Sequence, residues 1–169
     1  MKRFLLSAAV VLLGDQVTKH MARVSLEPGV VVPVIGDLLR FRYVHNAGAA
    51  FGFFQGSRFL FIGISLVSIA VIIYLILSKR YAFRGSRVAF GMVFGGAVGN
   101  LIDRIWLSEV IDFIDVGVGS QRWPTFNIAD AGVTIGVVYL VFSVLMLGRS
   151  SESSDPAEGG AGDAQPEGR

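Results

Sequence analysis

The chain is predicted to be an all-α membrane protein of four transmembrane helices, with a small β-sheet and an interfacial loop or short helix outside the bilayer. Three observations predict it. Of its 169 residues, 53% are hydrophobic and 17% charged, against roughly 25% charged in a typical soluble domain, and its mean hydropathy is +0.61. Four segments, at about 3–23, 59–77, 88–106 and 126–147, are apolar over the length a bilayer requires, about 20 residues. The connection between the first two, at about 25–58, carries two β-prone runs instead.

Direction follows from charge. The loop Ser78–Arg87 holds Lys79, Arg80, Arg84 and Arg87 and no acid, and Lys2, Arg3 and Arg149 fall on its side of the membrane. Basic residues favour the cytoplasmic side, so this loop and both termini are expected there. Met1–Val10 could also be the front of a cleaved signal peptide, but Asp15, Gln16 and Lys19 follow it without a small-residue cleavage site. Residues 1–149 then form one membrane domain. The tail 150–169, rich in Ser, Gly, Glu, Asp and Pro, is expected to be a disordered cytoplasmic extension.

In the connection 25–58, the runs Val30–Ile35 and Leu38–Val44 flank Gly36-Asp37, which predicts a hairpin with a primed turn. Leu39, Phe41 and Tyr43 alternate with Arg40 and Arg42, giving one face for apolar contact and one for water. Asn46–Phe54 is glycine-broken and aromatic, suited to a bend or an interfacial helix whose Phe residues anchor the protein or touch a ligand.

Composition excludes several chemistries. There is no cysteine, hence no disulfide and no thiol nucleophile; the two histidines, His20 and His45, stand outside any His-Glu-x-x-His run. No metal and no cofactor are expected. The net charge of +2 is small and clustered, so the basic residues orient the chain and do not bind nucleic acid.

Ionisable residues near a bilayer are costly and become functional candidates. Asp112 and Asp130 flank the last short loop: Asp112 emerges just past the outer interface or folds back into it, and Asp130 lies about four residues into the fourth span, roughly 6 Å below its start. Both carboxyls therefore fall in one outer layer, where an apolar setting lets a close pair share a proton. Asp115, three residues after Asp112, is an alternative acid at this point, or else it stays solvated or supports the loop. Asp15 and Lys19, spaced i, i+4 on the first span, pair either to lock helices or to support a site. Gly95 and Gly99 have small-xxx-small spacing for close helix approach. Asn100 and Arg104 lie one turn apart and need partners; Arg104 and Asp103 either pair or reach the interface. Asn127 can cap the fourth helix, bond an aspartate, or do both.

Five blocks in order, Asp15-Gln-x-x-Lys19, Asn46-Ala-Gly48, Gly95-Gly-x-x-Gly-Asn-Leu-Ile-Asp-Arg104, Ile111-Asp-Phe113 and Phe126-Asn-x-Ala-Asp130, resemble the lipoprotein signal peptidases, or signal peptidase II, of the bacterial inner membrane. Ile111, where the family commonly has Val, is a soft departure. The resemblance implies an aspartic endopeptidase with Asp112 and Asp130 as its dyad. Asn46, Gly48, Gly96, Asn100, Arg104, Asn127 and Ala129 match positions that shape the site, and Asp15 and Lys19 match its polar pair. It also implies the substrate, a diacylglyceryl-modified prolipoprotein cut on the amino side of the lipidated cysteine, with membrane lipids around a monomer. An ion or proton pathway is the rival use of such residues. The inner halves of the spans, however, carry no ladder of acids.

Overall fold

The computed structural model describes residues 1–48, 57–78, 83 and 85–152, with side chains as far as Met146. Among these, four long helices, α1 (Lys2–Ser25), α2 (Arg58–Ser78), α3 (Ser86–Trp106) and α4 (Ile128–Glu152), accompany strands β1 (Val31–Ile35), β2 (Leu39–Asn46), β3 (Val110–Val118) and β4 (Gln121–Arg122). The apolar composition of α2, α3 and residues 128–146 of α4 gives mean hydropathies of 2.9, 1.3 and 2.0, and each is long enough to cross a membrane. α1 is of similar length but is diluted by Asp15, Gln16, Lys19 and His20. Its polarity is turned inward. Asp15 and Lys19 are buried, while Leu6, Val10, Leu13, Val17 and Val24 are exposed.

α3 is the central helix and packs on the other three. Its small residues explain how closely. A Cβ on Gly95 would strike the Ala8 carbonyl of α1, and one on Gly99 would come within 2.6 Å of Asp15 Oδ2. On the adjacent face, a Cβ on Gly96 would strike the Ala129 carbonyl of α4. At the far end of the bundle Phe4, Ile72 and Phe90 form an apolar core, with Phe4 and Phe94 edge to face at 5.4 Å.

The sheet is antiparallel in the order β1-β2-β3-β4. The expected hairpin pairs Val31 with Arg42 and Ile35 with Leu39, with an irregularity between Pro33 and Ile35. The Leu38 N–H donates to the Ile35 carbonyl at 3.0 Å, and Gly36, at φ 49°, is the only residue of this turn with positive φ. That places the left-handed residue first, as in a II′ turn. The segment expected as a loop around Asp112 is a nine-residue strand, β3. Val110, Ile111, Phe113, Ile114, Val116 and Val118 are β-prone, and a neighbour remote in sequence, β2, supplies the pairing that makes them a strand. The expected interfacial segment beyond Gly48, residues 79–82 and 84 of the basic loop, and the tail beyond Glu152 lie outside the described residues. α4 nevertheless runs through Ser150–Glu152, three residues into the stretch expected to be disordered.

Candidate active site

Asp112 lies on β3, buried to 2% exposure, and Asp130 lies in the first turn of α4, half-buried. Three amides hold them. Asn46 Nδ2 donates to Asp112 Oδ2 at 2.8 Å and Asn127 Nδ2 to Asp112 Oδ1 at 2.7 Å; Asn100 Nδ2 donates to Asp130 Oδ1 at 2.8 Å. Donor-only groups set the orientation of each amide. Asn46 Oδ1 accepts the Gly48 N–H at 3.0 Å, Asn100 Oδ1 accepts Lys19 Nζ at 2.9 Å, and Asn127 Oδ1 accepts the Asp130 N–H at 2.9 Å. With its oxygen occupied, each amide turns N–H toward an aspartate.

Asn127 caps α4, and the Asp130 carboxylate accepts the Asn127 N–H in return at 3.2 Å, a reciprocal capping arrangement. The two uses expected of Asn127 thus coexist. Its Nδ2 also lies 3.2 Å from Asn100 Oδ1, linking the asparagines across α3 and α4. Burial, and then the charge of Asp130, push Asp112 up to about 7, against hydrogen bonds from Asn46 and Asn127 and the charge of Lys19.

Behind them lies a buried ionic layer. Lys19 Nζ is 2.8 Å from both Asp15 Oδ2 and Asp103 Oδ2, and the other oxygen of Asp15 accepts the Ala129 N–H at 2.9 Å. Asp15 thereby satisfies a first-turn donor of α4, while Lys19 orients Asn100. Ala129 is fully buried, against the helix surface that Gly96 leaves open. Arg104, half-buried, donates to the Asn100 carbonyl at 3.3 Å, stacks over Phe61 at 5.1 Å, and faces Asp130, Asp112 and Asp103 with its charge.

The structure therefore brings Asp15, Lys19, Asn46, Asn100, Arg104 and Asn127 around Asp112 and Asp130, with Gly48, Gly96 and Ala129 shaping their supports. Asp103, which the sequence allows either to pair or to snorkel, is 4% exposed, paired with Lys19, and accepts the Ile111 N–H at 3.3 Å, beside Asp112. Its position three residues after Asn100, on the same helical face, is the signal that could have found it. Gln16 was also missed, and its Nε2 donates to Asp15 and Asp103. Asp115 is not solvated. It is 1% exposed and bound by Arg40 and Arg122, which outweigh the effect of burial and hold its carboxyl below the usual range.

The chain as a whole is similar to known proteins. The signal peptidase (SPase) II family profile matches residues 7–146. A lipoprotein signal peptidase of Syntrophus aciditrophicus (strain SB) is 39% identical over 147 residues, covering 84% of this chain and 91% of its own. That of Shouchella clausii (strain KSM-K16) is 40% identical, covering 87% and 95%. A solved bacterial membrane enzyme, determined by the in meso method at 2.3 Å, superposes with a TM-score of 0.81 at 32% identity, over 95% of this chain and 96% of that one. On these likenesses the chain belongs to the signal peptidase II family, a family of membrane aspartic peptidases.

Proposed function

We propose that the protein removes the signal peptide from diacylglyceryl-modified prolipoproteins, with Asp112 and Asp130 as the catalytic dyad, cutting on the amino side of the lipidated cysteine. The observation that carries this is the amide-bridged pair, in which Asp112 stands at about 7 beside the charge of Asp130. Asp130 accepts N–H groups from Asn100 and the α4 N-terminus, where the helix dipole favours an anion, so the shared proton resides chiefly on Asp112. Asp130 takes a proton from water as its oxygen attacks the scissile carbonyl carbon, while protonated Asp112 donates to the carbonyl oxygen. As the C–N bond breaks, the departing amine takes the proton from Asp130, a hydroxyl of the gem-diol returns a proton to Asp112 as the new carboxyl group forms, and both carboxyls are back in their starting state. Water is the nucleophile, and no covalent intermediate forms. Asn46, Asn100 and Asn127 aim the carboxyls, and Asp15, Lys19 and Arg104 hold their supports.

The same reading makes α1 the fourth span, its apolar surface toward lipid and its polar residues toward α3, inside one membrane domain of residues 1–149. The protein sits in the bacterial inner membrane as a monomer, with cytoplasmic termini and the sheet on the outer side. Lateral entry from the lipid suits this substrate, whose signal helix and acyl chains are both apolar. Purified protein incubated with a diacylglyceryl-modified prolipoprotein cleaves it, and Asp112→Asn and Asp130→Asn each abolish cleavage while remaining folded. Full processing by either variant contradicts the dyad.

A further inference from the structure

We infer that Asp115, clamped by Arg40 and Arg122, is a positioning residue that holds β2 in the register that brings Asn46 against Asp112. The inference rests on the assignment of Asp112 to the dyad and deepens it. Asp115 takes Arg122 Nε at 2.6 Å and Arg40 Nε and Nη2 at 3.1 and 2.9 Å; Arg122 also donates to the Asp115 carbonyl at 3.3 Å. Both arginines reach on to Asp37 in the β1–β2 turn, at 3.0 Å from Arg40 and 3.4 Å from Arg122. Asp37 in turn accepts the Gly119 N–H of the β3–β4 turn. One ionic cluster thus ties together both hairpins of the sheet.

Burying such a cluster is a poor way to gain stability, since apolar residues of similar volume commonly do as well. What it supplies is register. Between Phe41↔Ile114 and Val44↔Asp112, β2 advances three residues while β3 advances two, so one extra residue is housed beside Asp112. Such a bulge bends its strand and re-aims the side chains that follow. Arg40↔Asp115 pins the ladder on one side of it, and the Asn46–Asp112 hydrogen bond lies on the other. Without Asp115 the extra residue is free to migrate toward the Gly36 turn, past the existing irregularity at Pro33–Ile35. The bend that turns Asn46 onto Asp112 then weakens. The other groups facing Asp112, namely Asp130 on α4, Lys19 on α1 and Arg104 on α3, are held through helices and stay in place.

A double-mutant cycle between Asp115→Asn and Asn46→Ala tests the coupling, read by prolipoprotein cleavage and by carbon-13 titration of the Asp112 carboxyl, which needs no activity. Asp115→Asn is expected to lower kcat about tenfold with little change in KM, the effect of one lost hydrogen bond to a charged group. It also moves the Asp112 titration upward by about one pH unit, because Asn46 no longer stabilises the anion. In the Asn46→Ala background the same substitution changes both readouts less than about twofold and about 0.3 pH units. Equal, additive effects in the two backgrounds overturn the inference. Arg40→Lys, which keeps the charge but loses the two-pronged contact, repeats the cycle should Asp115→Asn not fold. The titration reads register whether or not Asp112 is catalytic, whereas Asp112→Asn activity tests the dyad alone.

Discussion

Asp112 and Asp115 stand three residues apart on one strand, nearly equally buried at 2% and 1% exposure, and their surroundings take them in opposite directions. Asp112 meets neutral amides and a second acid, and is pushed up to about 7. Asp115 meets two guanidinium groups and is held below the usual range. Burial alone makes neither carboxyl reactive. The partners decide, with arginine turning a buried acid into a fixed anion and amides plus a second acid leaving a proton to exchange.

Exchanging the two carboxyls for amides separates their roles with the largest expected effect. Asp112→Asn lowers cleavage by at least about 10³-fold, since the chemical step loses its acid, whereas Asp115→Asn costs only about tenfold. Comparable losses from both, in a prolipoprotein cleavage assay, break the comparison. Next comes the ionic layer that serves Asp112 from behind. Lys19→Met leaves Asp15 and Asp103 as buried anions without their cation, and is expected to destabilise the fold by about 3–5 kcal/mol in reversible unfolding in detergent.

Stability against pH sharpens the contrast through its sign. Asp112 keeps its proton to about 7 when folded but to about 3.8 when unfolded, so its contribution is present below 3.8 and is lost as pH rises toward 7. The unfolding midpoint of Asp112→Asn relative to the parent should therefore climb between those values and then level off. For Asp115 the sign reverses. Its folded carboxyl titrates below 3.8, so the stability it adds is present above that pH and is lost on acidification through its folded value. The parent's advantage over Asp115→Asn should fade in acid. The smallest effect is expected at the rim, where Asp37 has 47% side-chain exposure. Asp37→Asn should change stability by less than about 0.5 kcal/mol.

What could be read in the sequence divides along the same line. The helices are legible because their apolar runs answer to lipid, and the motif blocks name the residues that surround Asp112 and Asp130. β3 was not legible as a strand. Its partner β2 lies some 70 residues earlier, and only the pairing shows that Val110–Val118 is extended. For the same reason the sequence leaves Asp115 open between a second acid, a solvated residue and a support of the loop, because Arg40 and Arg122 flank it through the ladder and not through the sequence. Asp103 was half legible, visible on the Asn100 face of α3, but its hold on Lys19 depends on the approach of α1 that Gly95 and Gly99 allow. Local pattern thus reveals which residues are costly. Tertiary contact determines which of them are free to react.

Whether Asp112 and Asp130 share a proton is read by carbon-13 titration of the aspartate carboxyls in the parent and in Asp130→Asn. One carboxyl titrating near 7 is predicted in the parent, absent from Asp112→Asn and shifted downward in Asp130→Asn, where the second charge is gone. An Asp112 carboxyl titrating near 4 in the parent, or one unmoved by Asp130→Asn, would contradict the account.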